Sequence, residues 1–182
     1  MKTKLAFAIL AIVIVWGLKR HYADARPEDL SWILSPTARL VSATTSATFV
    51  MQPGEGYFSR QRLFLIEKSC AGINFMIAAF VMLIAALFHR VESRVEAMRV
   101  VGASLLVSYS AAVLVNTVRI SIAMWLGSHP AALSAFSADE VHRVEGITVY
   151  FAGLVLLYEL VRRLDRHVVA LDTEARSAEV AS

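Results

Sequence analysis

The stretch that decides the fold is VVGASLLVSYSAAVLVNTVRISIAMWL, residues 100–126. It holds no Asp, Glu or Lys, and its one Arg is Arg119. A bilayer core calls for about 20 consecutive apolar residues, and this run supplies them without a break. Lipid offers the backbone no hydrogen-bond partners, so the run reads as a helix. Three further apolar runs lie on either side of it: Leu5–Leu18, Ala71–Phe88 and Ile147–Val161. Ala71–Phe88 is long enough to span directly. The other two need flanking polar and aromatic side chains that snorkel to the interface. The whole chain has 182 residues, is 57% hydrophobic and has a mean hydropathy of +0.59. That apolar share exceeds the ~45–50% of an average soluble domain, which excludes a disordered chain and argues against an ordinary soluble globule.

Charge orients the runs. Lys2, Lys4, Arg90, Arg94, Arg99, Arg162, Arg163, Arg166 and Arg176 lie before the first run, between the second and third, and after the fourth. An excess of Lys and Arg marks cytoplasmic segments, so both termini are expected inside. Lys19 and Arg20 oppose this bias, whereas Trp16, Trp32 and Trp125 all fall at the outer interface it implies. The expected fold is an all-α integral membrane protein, a bundle of about four transmembrane helices. Residues 1–166 form one membrane-embedded domain, and 167–182 a polar, partly disordered cytoplasmic tail. A cleavable signal peptide over residues 1–25 is the competing reading of the first run, although Lys19, Arg20 and His21 put charge where a cleavage region is neutral. In the outer segment, Leu30–Val50 contains Pro36 and reads as an interfacial or re-entrant helix. Phe49–Met51 and Leu63–Ile66 read as two short strands around Pro53-Gly54-Glu55-Gly56, a hairpin-like loop.

A net charge of +3 with no basic stripe gives no reason to expect a nucleic-acid partner. The single cysteine excludes an internal disulfide and a Cys-based zinc cage. Cys70 sits where the outer segment becomes the second span, beside Lys68 and at a helix N-terminus, whose field favours a thiolate. Ala71 and Gly72 leave room beside it. An isolated Cys in a membrane protein is nevertheless more often a small buried apolar residue than a nucleophile. Arg119 costs at least ~2.5–3.5 kcal/mol to place at mid-bilayer, so function or a structural partner must offset it. Asn116 lies three residues earlier, on the same helix face. His142 precedes the fourth span and could accept a thiol proton, or serve only as a polar interfacial residue. Gly146, one turn later, permits close helix approach. Cys70, Arg119 and His142 all fall in the outer half of the expected bundle. A Cys–His pair with a fixed cation makes a nucleophile, a base and an oxyanion stabiliser, but too few ligands for a metal.

These motifs, Cys70-Ala71-Gly72, Asn116-Thr117-Val118-Arg119 and His142-Arg143-Val144-Glu145-Gly146, resemble those of the exosortase/archaeosortase family of membrane transpeptidases. The resemblance covers residues 49–160 and is to a short form, similar to the exosortase K branch. Ala71 stands where many members have Ser. The resemblance implies a thiol protease or transpeptidase in a bacterial cytoplasmic membrane. Such an enzyme cleaves C-terminal sorting signals of exported proteins at the outer face and passes them to a surface acceptor, with no cofactor. It implies Cys70 as nucleophile, His142 as general base and later acid, and Arg119 as oxyanion stabiliser. It implies that Asn116 orients Arg119 or holds substrate, with Gly72 and Gly146 as further substrate-binding or orienting positions. Two other classes stand beside it: a non-enzymatic scaffold whose Arg119 pairs with a partner helix, and an anion transporter, against which the lack of an inverted repeat argues.

Overall fold

The computed structural model describes residues 2–128 and 138–180, with side chains in the second stretch given for Glu140 and for residues 143–167. The chain runs α1 (Lys2–Asp24), α2 (Ser31–Thr45), β1 (Val50–Gln52), β2 (Gly56–Ser59), β3 (Phe64–Ile66), α3 (Ile73–Ala86), α4 (Arg94–Gly127) and α5 (Ala138–Val180). Short 3-10 turns at Glu28–Leu30, Lys68–Ala71 and Phe88–Arg90 precede α2, precede α3 and follow α3. Among the described residues, three segments are long and apolar enough to cross a membrane: Lys68–Ala86, Arg94–Gly127 and Arg143–His167. The remaining expected span, Leu5–Leu18, lies within α1.

Helix α4 is the spine. Its start is fixed by a capping box, with Ser93 Oγ accepting from the Glu96 amide at 3.2 Å and the Glu96 carboxylate accepting from the Ser93 amide at 2.8 Å. At 34 residues it is ~51 Å long, so it reaches well past a ~30 Å hydrocarbon layer. Helix α1 lies antiparallel to α3. Lys19 Nζ donates to Asn74 Oδ1 at 2.7 Å at one end, and the Phe7 and Phe88 rings stand 5.9 Å apart at the other. Lys19 opposed the charge bias, and here it is engaged by a polar side chain of the same bundle.

Two apolar clusters fill the interior. Phe7, Phe80, Ile84, Val91, Ala97 and Val101 join α1, α3 and α4 at the Arg90 end. Leu30, Ile33, Val41, Ile66, Ile73, Ala112 and Leu157 join the other elements at the Cys70 end. Small residues let backbones close in: a Cβ on Gly153 of α5 would lie 2.9 Å from both Val115 methyls of α4. Much of the outer surface of α4 and α5 is apolar, including Leu106, Leu114, Ile147, Phe151 and Leu156. A surface of this kind suits lipid rather than water.

One expectation gains a partner and two change. Helix α2, in the segment expected to form an interfacial or re-entrant helix, packs along α4. Trp32 stacks on Tyr109 with ring centroids 5.8 Å apart, and the Thr44 and Ser121 hydroxyls meet at 3.2 Å. Its Ile33, Leu34, Ala38 and Val41 are buried, forming an i, i+4 stripe whose burial outweighs the break at Pro36. The expected two-stranded loop is a three-stranded antiparallel meander, β1-β2-β3, with Met51 opposite Tyr57 and Phe58 opposite Leu65. Its middle strand, Gly-Tyr-Phe-Ser, is too short to stand out, yet pairs on both edges. Gly56 has a φ of +126°, and a Cβ there would strike the Ile66 carbonyl oxygen. The tail after Arg166, expected to be partly disordered, continues as helix to Val180, in keeping with its Ala, Glu and Arg content.

Candidate active site

The strand β3 ends at Ile66, which is fully buried, and the chain enters the turn Lys68–Ala71. Cys70 lies in that turn and is 7% exposed. Its amide donates to the Glu67 carbonyl at 2.9 Å. Gly72 then takes a left-handed φ of +69° and caps α3, a conformation that a side chain would strain. Cys70 therefore precedes the α3 N-terminus by a turn of its own rather than forming the first residue of the helix. Ser69 Oγ stands 3.8 Å from Cys70 Sγ and 2.5 Å from Glu67 Oε1. The serine gives its one proton to the carboxylate, so toward the sulfur it is an acceptor for the thiol proton.

Lys68 is occupied elsewhere. Its Nζ donates to the Ala23 carbonyl at 3.0 Å and lies over the Tyr22 ring. The Tyr22 hydroxyl in turn donates to the Lys68 carbonyl at 3.4 Å. Burial pushes the Tyr22 phenol above its ordinary range, with the negative charges that Cys70 and Glu67 can carry acting the same way.

Arg119 and Asn116 project from α4 toward this turn and α5. The Asn116 amide nitrogen donates to the Cys70 carbonyl oxygen in a short hydrogen bond. Asn116 Oδ1 accepts from the Tyr150 hydroxyl at 3.0 Å, and that hydroxyl accepts from Arg119 Nη1 at 3.2 Å. The Arg119 guanidinium also lies over the Tyr150 ring, 5.2 Å from its centroid. The Tyr150 ring is held in turn against Phe75 of α3 at 5.4 Å. Asn116 is fully buried. Three elements are thus joined by one chain of hydrogen bonds.

Glu145 completes the cluster. Its Oε2 lies 3.8 Å from Arg119 Nε, with the two side chains only 12% and 6% exposed for Arg and Glu. Neither carboxylate oxygen accepts a hydrogen bond among the described residues. A Cβ on Gly146 would stand 3.0 Å from Arg119 Nε, so this glycine makes the space in which the guanidinium lies against α5. Gly72 does the same for Asn116, whose Cγ would be 3.3 Å from an added Cβ. The room expected beside Gly72 is thus filled by Asn116 rather than left open.

The structure brings together Cys70, Gly72, Asn116, Arg119 and Gly146. The His142 side chain lies outside the described residues; its position falls on α5, one turn before Glu145. Sequence reasoning assigned no part to Tyr150, Glu145 or Ser69. A carboxylate at the mouth of an apolar run, facing the one Arg within another, was the available signal for Glu145. Among the described residues, no three His, Cys, Asp or Glu side chains gather to hold a metal ion. The chain matches no protein-family model, no curated protein and no solved structure.

Proposed function

We propose that this chain is a membrane-embedded cysteine transpeptidase of the exosortase type, acting on exported proteins at the non-cytoplasmic end of a four-span bundle with both termini inside. The observation that carries the reading is the hydrogen-bonded chain from Arg119 through Tyr150 and Asn116 to the Cys70 carbonyl. It ties the turn that carries Cys70, the one cysteine of the sequence, to Arg119, the one arginine of the 100–126 apolar run. A guanidinium that is costly to bury is held by further polar side chains against that turn, an arrangement that supports a chemical part for the turn's cysteine.

In the reaction, His142 takes the Cys70 proton, and the sulfur attacks the carbonyl carbon of the scissile peptide bond. The carbonyl oxygen becomes an oxyanion, which the Arg119 guanidinium stabilises. The C–N bond then breaks, His142 returns its proton to the leaving amine, and a thioester on Cys70 remains. An amine or hydroxyl of the acceptor, or water, attacks the thioester, its proton passes to His142, and the thiol is restored. Arg119 meets Tyr150 and Glu145 of its own chain. These contacts support the transpeptidase reading over the scaffold reading, in which Arg119 pairs with a partner helix.

The test is processing. Exported proteins with a C-terminal apolar helix and basic tail are co-expressed with the wild type, Cys70→Ala and Cys70→Ser, and their masses compared. The wild type shortens a substrate, and both variants leave it whole. Equal processing by all three overturns the proposal.

A further inference from the structure

The hydrogen-bonded chain has a direction. Arginine donates and never accepts, so the Tyr150 hydroxyl must accept from Arg119. Its single proton is then committed to Asn116 Oδ1. With its oxygen held there, the Asn116 amide can only turn its NH2 toward the Cys70 carbonyl. Asn116 is fully buried, so water cannot substitute at either end. Were the amide reversed, its oxygen would face the Cys70 carbonyl oxygen, two acceptors with no proton between them. The amide also packs against the Gly72 turn that it orients.

We propose that the Tyr150 hydroxyl is a positioning group: it passes the donor-only polarity of Arg119 to Asn116 and so fixes the turn that presents the Cys70 thiol. This rests on reading Cys70 as the nucleophile. Among the described residues no hydrogen bond joins Tyr150 to the sulfur; it acts through Asn116. The same hydroxyl also holds Arg119, so one oxygen sets the relation between the nucleophile and the oxyanion stabiliser. The aromatic ring has a separate part, packing on Phe75, which phenylalanine keeps.

Cys70 is the only cysteine, so a maleimide reports on it alone in the full chain reconstituted in vesicles. Tyr150→Phe loosens the turn and speeds labelling roughly tenfold, the factor that ~1.4 kcal/mol represents. On a processed substrate it lowers kcat and leaves KM in place, a split that general loosening of the fold does not produce. Asn116→Leu removes the same relay from its middle and speeds labelling equally, and combining the two changes adds nothing. Labelling of Tyr150→Phe at the wild-type rate overturns the proposal, as does full additivity of the pair. Should Tyr150→Phe fail to accumulate, a wild-type rate in Asn116→Leu overturns it alone. Faster labelling in a protein whose wild type processes nothing leaves the relay standing and removes the transpeptidase.

Discussion

Helix α5 is fastened at two levels. At one, Asp165 Oδ1 lies 2.5 Å from Arg90 Nε, the Asp165 carbonyl accepts from Arg90 Nη2 at 3.2 Å, and His89 Nε2 approaches Asp165 Oδ2 at 3.5 Å. At the other, Tyr150 and Glu145 meet Arg119, and Tyr150 continues to Asn116. The first cluster is the more open, with His89 59%, Arg90 33% and Asp165 21% exposed, although Asp165 Oδ1 itself is buried; the second is closed. An open ion pair costs little to form and contributes little. A closed one must offset the desolvation of both charges, and replacing such a pair by apolar residues is often neutral or stabilising. Glu145 adds to that cost, because its oxygens accept no hydrogen bond among the described residues. The Arg90 level is explained by holding the bundle together. The Arg119 level is not, and that is the reason to seek chemistry there.

Substitutions can break this contrast at either level. The largest effect after loss of Cys70 itself is expected at Arg119. Arg119→Lys keeps the charge but gives up the planar fork that serves Tyr150 and an oxyanion together. Processing should fall by ~100-fold or more, the scale set by loss of one oxyanion donor. Full activity in this variant would place Arg119 with Arg90, as a fastening.

Asp165→Asn tests the other level. It should cost at most about 1 kcal/mol of stability and leave Cys70 labelling unchanged. Added salt should narrow the gap between variant and wild type in thermal unfolding. A change in labelling would mean that the two levels are coupled along α5.

The smallest effect is expected at the sheet. The Gly54 amide donates to the Glu28 carboxylate, and this bond, with one from Glu28's own amide, holds the carboxyl below its usual range. A carboxyl whose folded value is lowered contributes stability above its unfolded value near ~4.3 and loses it as pH falls through the folded value. Glu28→Gln should therefore lower the unfolding midpoint slightly at neutral pH, with the difference vanishing in acid. A difference that persists in acid would place the effect in packing instead.

How much of this was legible beforehand differs between fold and site. The apolar runs at 71–88, 100–126 and 147–161 mark the helices correctly, because run length answers to bilayer thickness and to the backbone's need for internal bonds. Cys70, Asn116 and Arg119 stand out because each is costly or reactive where it lies. The strand Gly56–Ser59 is hidden, since its alternation covers only a few residues and its pairing partners lie on both sides. The place of α2 was equally hidden, because a stripe of buried residues says that a helix packs but not on what.

The chain's composition and spacing determined that it is a helical bundle with one thiol at the edge of an apolar run and one arginine inside another. Only the tertiary structure decided that Tyr150 stands between them, that Glu145 faces Arg119, and that Gly72 and Gly146 are spaces for Asn116 and Arg119. The reason is geometric. Periodicity sets which residues share a face of one helix, whereas the meeting of side chains from different helices depends on how each is rotated and shifted against its neighbours. That rotation is settled by packing of the whole bundle, which no single stretch of sequence contains.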